Sequence, residues 1–255
     1  MLLAIDIGNT NTVFAVYDGG GVMDSWRLQT LRGRSADEYA AFLQPLFAHK
    51  DISFNGIKAV IVSSVVPDAN RAMRVFCEQY IGQQSVFVSK DMVGVAADIE
   101  RPEDIGADRL VNAVAVNAKY NVPAIVVDFG TATTFDVIDA QGHYAGGVIA
   151  PGVNLSVAAL HQAASKLPQI SVKKPQKALG KNTVSAMQSG VYWGYVGLIE
   201  RILGELKQEI SGDVQVIATG GLAPLFAEDN DMIDVVDQDL TIEGLCLIAK
   251  EQKLI

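Results

Sequence analysis

Cysteine is nearly absent from the 255-residue chain, which has only Cys77 and Cys246, and neither has a partner at metal-ligand or redox spacing. A disulfide framework and a thiolate metal centre are therefore excluded, and both thiols are expected to be buried in a reducing compartment. Histidine is almost as scarce, and His49, His143 and His161 show no ligand spacing. Positive charge is also short. Twenty Lys and Arg against 29 Asp and Glu leave a net charge of −9, so no basic face is expected for a nucleic-acid backbone. No Gly-x-x-x-x-Gly-Lys-Ser/Thr run occurs, which excludes a P-loop mechanism. The longest apolar stretch, 145–160, is interrupted by Gly, Pro and Asn, and Asp6 interrupts the apolar N-terminus. Neither a membrane span nor a signal segment is expected, and the chain reads as cytoplasmic.

What the chain does have is apolar strands that end in a carboxylate and a small-residue turn. Leu2 to Ile5 lead to Asp6, then Ile7, Gly8, Asn9, Thr10, Asn11 and Thr12, and a second apolar run continues to Asp18. This pattern predicts a β-hairpin. Gly8 permits close backbone approach, and Asn9 to Thr12 offer donors without bulk. A carboxylate beside such donors suits a phosphate held with a divalent cation, although an ordinary Asx-type turn reads the same way.

The pattern occurs twice. Ala124 to Val127, Asp128, Phe129, Gly130, Thr131, Ala132, Thr133 and Thr134 repeat the order, and the second strand ends at Asp139. A later pair of segments, 59–67 and 214–224, also matches: apolar strand, small-residue turn, and a Pro opening a helix. Two matched features in one order imply a duplicated domain. The boundary is placed near 119, giving domains 1–118 and 119–255, with the last helix able to pack back on the first domain.

Between the hairpins, Leu110, Val111, Val114 and Ala118 repeat at helical spacing, so Asp108 stands at a helix N-terminus. Taken alone, Asp108 reads as a cap. Arg32 and Arg34 sit in a loop before a capping box at Ser35 and Glu38, and they read as solvated charges rather than phosphate ligands. The stretch 166–181 carries five lysines and reads as a mobile loop. Asn182 to Ser185 then cap a long helix with Gly190, Gly194 and Gly197 along it, which permits close helix approach within the chain or in a dimer.

Together these motifs resemble the type III pantothenate kinases, within the actin-like and sugar-kinase-type ATPases. The resemblance rests on Asp6-Ile7-Gly8-Asn9-Thr10, Gly106-Ala107-Asp108-Arg109, Asp128-Phe129-Gly130-Thr131-Ala132-Thr133, 146–152, Asn182-Thr183 and 186–190. It implies an α/β fold of two RNase-H-like domains, each a mixed sheet with flanking helices, facing a nucleotide cleft. It also implies ATP-dependent phosphorylation of pantothenate, the first step toward coenzyme A, a monovalent cation (potassium or ammonium), and a homodimer.

By the same resemblance, Asp6 is the magnesium-linked carboxylate, directly or through water, with Gly8, Asn9, Thr10, Asn11 and Thr12 around the ATP phosphates. Thr131 and Thr133 are further ATP contacts. Asp108 is the base facing the substrate hydroxyl, within a substrate-binding Gly106, Ala107, Asp108 and Arg109. Asp128 binds the monovalent cation, and Thr183 contacts pantothenate. Family members commonly carry Tyr three residues before the proline of the Gly-x-Asp-Arg segment, where this chain has Ile99. The alternatives are another small-molecule kinase on the same fold, and a non-catalytic ATP-binding regulator. Asp108 followed by Arg109 argues against the regulator, because binding ATP alone requires neither.

Overall fold

The computed structural model describes residues 1–255. It divides into two compact units: one of Met1–Val95, Glu100–Lys119 and Asp239–Ile255, the other of Ala96–Ile99 and Tyr120–Gln238.

The first unit is built on a five-stranded sheet. β1 (Leu2–Ile7), β2 (Asn11–Tyr17) and β3 (Val22–Gln29) form an antiparallel meander. β4 (Ala59–Ser64) then adds parallel to β1, and β5 (Ser85–Phe87) parallel to β4, giving the order 3-2-1-4-5. β1 and β4 are central, and their apolar runs are buried on both faces.

One face carries Leu3, Ile5, Ile7, Phe14 and Val16, packed on α1 (Ala36–Ala48) and α2 (Pro67–Phe76) through Tyr39, Leu43, Phe47, Met73 and Phe76. The expected capping box closes on α1: Glu38 N–H donates to Ser35 Oγ at 3.2 Å, and Ser35 N–H to the Glu38 carboxylate at 2.8 Å. Strand alternation sends Leu2, Ala4 and Asp6 to the other face. There α3 (Ala107–Lys119) packs against α7 (Leu240–Glu251), with both helices against β4 and α7 also against β1. Arg34 departs from expectation. Its side chain is buried, and it lies over Tyr39 and Phe42 rather than in water.

The second unit repeats the plan. β6 (Ala124–Phe129), β7 (Ala132–Ile138) and β8 (Tyr144–Pro151) form the meander. β9 (Gln215–Gly220) runs parallel to β6, with β10 (Val235–Val236) outside it. The sheet order 8-7-6-9-10 matches 3-2-1-4-5 strand for strand, so the segments that repeat in sequence occupy equivalent positions. Its core joins Ile125, Val127, Phe135 and Val216 to α4 (Val153–Ala163), α5 (Thr183–Glu209) and α6 (Ala223–Ala227) through Val153, Tyr192, Val196, Ile199 and Phe226.

The lysine-rich stretch is irregular but tethered. Lys174 pairs with Asp229 at 2.6 Å, and Tyr192 donates to the same carboxylate at 2.6 Å. Gln188 Nε2 donates to the Ser171 carbonyl at 3.2 Å. No helix is long and apolar enough to cross a membrane.

In the first unit α7 approaches α3 closely at Gly244, where a Cβ would collide with the Val111 carbonyl and side chain. Gly244→Ala is expected to push α7 off α3 and cost about 1–3 kcal/mol, the usual range for overpacking. Urea unfolding measures this, and an unchanged midpoint would show that the contact tolerates a methyl group.

Candidate active site

In the first unit, β1 carries Asp6 to the edge of a tight turn. Gly8 N–H donates to the Asn11 carbonyl at 3.0 Å, and a Cβ on Gly8 would stand 3.1 Å from that oxygen. Asn9, Thr10 and Asn11 are exposed at the tip, while Thr12 is fully buried, with its hydroxyl 2.9 Å from that of Thr30. Thr12 can therefore serve a ligand through its backbone or by holding the turn, not through an exposed side chain.

Asp108 is the second residue of α3 and is half-buried. Its Oδ1 accepts the Arg109 N–H at 2.8 Å. A Cβ on Gly106 would meet the same oxygen at 2.5 Å, so glycine is required for the carboxylate to fold back over the helix start. Free N–H groups and the helix dipole favour an anion there.

These elements place two carboxylates in electrostatic contact. Asp6 is pushed up to about pKa 7, first by burial and then by the charge of Asp108, while the Ser63 hydroxyl and Arg27 pull it down. A carboxylate whose proton affinity is raised by a neighbouring carboxylate fits a divalent oxygen-seeking cation, which would relieve the repulsion. No group of three or more His, Cys, Asp or Glu side chains is placed to hold a metal ion by itself.

In the second unit, Asp128 occupies the place in β6 that Asp6 has in β1, and both pair with the neighbouring parallel strand in the same register. The turn is one residue shorter, with Gly130 N–H donating to the Ala132 carbonyl at 3.0 Å. Thr131 is exposed at its tip, and Gly152 packs so closely on the Thr131 carbonyl that no Cβ fits. Gly220, at φ 88°, leaves another cradle. Asp128 Oδ1 and the Phe129 carbonyl each lie 2.7 Å from where its Cβ would stand, so two oxygens converge at one point. Oxygen donors of this kind suit a hard cation.

Thr133 is fully buried, and its hydroxyl has no hydrogen-bond partner. Thr183 is the exposed first residue of α5 and lines a groove of about 1010 Å³ with Leu160, Met187, Tyr195 and Leu198. Ile99 lies against Gly146, 3.7 Å from its Cβ position.

Register reveals two residues that the sequence reading overlooked. Ser63 pairs with Asp6 and Thr219 with Asp128, so each carboxylate has a buried hydroxyl residue beside it on the next parallel strand. The signal was present as Ser63-Ser64 and Thr219-Gly220 at the ends of the matched apolar segments, but only strand pairing gives it meaning.

A family model described as type III pantothenate kinase matches residues 2–205. The type III pantothenate kinase of Rhodospirillum rubrum is 49% identical over 255 residues, covering 99% of both chains. Among solved structures, a putative Baf family transcriptional activator from Campylobacter jejuni aligns with a TM-score of 0.63 at 20% identity, covering 99% of this chain and 100% of that one. A putative 2-dehydro-3-deoxygalactonokinase from Sinorhizobium meliloti aligns at 0.59 and 13% identity, covering 98% and 96%. At such identities these two likenesses establish the fold, a duplicated RNase-H-like architecture of the sugar-kinase and actin-like ATPase type.

The Asp6 proton affinity has a consequence for stability. With the folded-state pKa raised from 3.8 to about 7, its contribution is complete below about pH 4 and is lost as pH rises through 7. Asp6→Asn is therefore expected to raise the melting temperature of the metal-free protein at pH 8 by roughly 5 °C, with the gap closing toward pH 4. Calorimetry at the two pH values measures it, and equal differences at both would remove the raised proton affinity.

Proposed function

Because the chain belongs to the type III pantothenate kinase family, we propose that it transfers the γ-phosphoryl group of ATP to the primary hydroxyl of pantothenate. The products are ADP and 4′-phosphopantothenate, the first step toward coenzyme A. The observation that carries this reading is the Asp6 and Asp108 carboxylate pair beside a glycine turn, in a chain 49% identical over 255 residues to a type III pantothenate kinase.

The chemistry asks little covalent work of the protein. A bond forms between the pantothenate oxygen and the γ-phosphorus, the bond to the β-phosphate bridging oxygen breaks, and the hydroxyl proton must leave. Asp108 is the group assigned to orient that hydroxyl and accept its proton. In a loose transition state the proton departs late, so a carboxylate of ordinary basicity suffices. Arg109 suits the pantothenate carboxylate, since guanidinium and carboxylate pair in a fork. Gly106 and Ala107 give that substrate a close backbone approach at the start of α3. Exposed Asn9, Thr10 and Asn11, with Gly8, hold the ATP phosphates on main-chain and side-chain donors, and Thr131 adds a contact from the second turn. Magnesium, held through Asp6, would neutralise phosphate charge.

Three finer assignments belong to the same reading. Asp128 holds a monovalent cation, supported by the oxygens converging at Gly220. Thr183 contacts pantothenate. The chain works as a homodimer, supported by an α5 on which Gly190, Gly194 and Gly197 leave open space beside a part-exposed Trp193. A light-scattering mass near the 27.2 kDa of one chain would remove the dimer.

A coupled assay for ADP release tests the function, run with pantothenate and with a panel of sugars. Turnover with pantothenate alone is expected, whereas turnover only with a sugar, or bound ATP without turnover, would favour the alternatives. Asp108→Asn should lower kcat by roughly 10²-fold or more with ATP binding intact. A near-normal rate would return Asp108 to the role of a cap. Replacing potassium by sodium should lower the rate, and indifference to the cation would remove the role given to Asp128.

A further inference from the structure

The proposed reaction sets a triphosphate beside Asp6 and Asp108. One divalent cation does not offset all the negative charge gathered there, so a further cation is called for near the first turn. Few are at hand. Arg109 is assigned to the pantothenate carboxylate. Arg32 points outward to Asp68 at 4.0 Å, with both side chains exposed. Arg34 is buried against the rings of Tyr39 and Phe42. That leaves Arg27, on β3.

Strand register places it. Arg27 pairs with Val13 of β2, Val13 pairs with Asp6 of β1, and Asp6 pairs with Ser63 of β4. Residues paired across a sheet project from the same face, so these four form one row. The alternation along β3 agrees. Trp26 and Leu28 pack into the core beneath α1 and α2, while Arg27 between them is exposed on the opposite face, the one that carries Asp6.

Two strand spacings, about 10 Å, separate the Arg27 backbone from that of Asp6. The row between them is filled by half-buried Val13, over which an arginine stem can lie while its head stays in water. Two residues further on, Gln29 pairs with Asn11, and Thr30 N–H donates to the Thr10 carbonyl at 2.9 Å. The strand carrying Arg27 is thus fastened to the turn assigned to the ATP phosphates. Arg27 makes no ion pair or side-chain hydrogen bond, and it is the one positive charge that lowers the proton affinity of buried Asp6.

We propose that Arg27 is a further ATP-binding residue, whose guanidinium takes two oxygens of the polyphosphate held at the Gly8–Asn11 turn. An arginine fork matches two phosphate oxygens, and its charge is permanent. Edge strands such as β3 also carry charge to block pairing with another sheet, a role that predicts no effect on nucleotide. The inference rests on the kinase reading only as far as ATP binding, and the identity of the phosphoryl acceptor does not enter it.

Calorimetric titration of the full chain with magnesium ATP tests the assignment, with adenosine as the ligand that lacks phosphate. Arg27→Gln should weaken ATP by about tenfold, the size of a hydrogen bond to a charged group, and leave adenosine unchanged. Arg27→Lys keeps the charge without the fork and should fall between the two. Arg32→Gln removes an equal charge from the nearby loop and, at physiological salt, should change ATP affinity by less than about twofold. Equal ATP affinity in Arg27→Gln and the unaltered chain overturns the assignment while the kinase reading stands. Equal losses in Arg27→Gln and Arg32→Gln overturn it too, because a diffuse field then explains both. So does a matching loss of adenosine, since the change has then reached beyond phosphate. An unaltered chain that binds no ATP would overturn the kinase reading itself, and this inference with it.

Discussion

The first unit is arranged around a repulsion. Asp6 comes from the central strand and Asp108 from the start of α3, and the charge of Asp108 makes that of Asp6 harder to hold. A fold has no use for such a pair in isolation, since burying one carboxylate beside another costs stability that apolar residues would not. A divalent cation beside the pair, as in the proposed kinase reaction, would remove that cost. Gly106 shows how tightly it is set, because even a methyl group there would meet the Asp108 carboxylate.

Duplication explains why the surroundings are so alike in the two units. Each sheet uses the same order, and each carboxylate stands on its central strand beside a buried hydroxyl residue of the next parallel strand. The copies have diverged where chemistry differs. The first has Asp108 as an acidic neighbour of its carboxylate, while the second has a shorter turn and the glycine cradle at Gly220. The same scaffold thus sets a second carboxylate beside the strand-end aspartate in one unit and converges two oxygens at a glycine in the other.

Much of this was legible in the residues, and for definite reasons. Strands that run apolar to Asp6 and Asp128 and then break into glycine and small polar residues leave few other structures open to them, and their repetition fixed the sheet plan. The helical spacing after Asp108 placed that carboxylate at a helix start. Other features depend on contacts distant in sequence. Arg34 reads as a solvated loop charge because burial under Tyr39 and Phe42 follows from how α1 docks, which local composition does not encode. The lysine-rich stretch reads as mobile because its anchors, Asp229 and Tyr192, lie far along the chain or on a helix face. Ser63 and Thr219 acquire a role only through register.

The central claim is that Asp6 and Asp108 are a strained pair awaiting a cation, and carbon NMR of the Asp6 carboxyl tests it most directly. In the metal-free protein the Asp6 resonance should titrate near pH 7. Magnesium with a nucleotide should bring it back toward the ordinary carboxylate range. A carboxyl that titrates at an ordinary pH without metal, and ignores magnesium, would contradict the account.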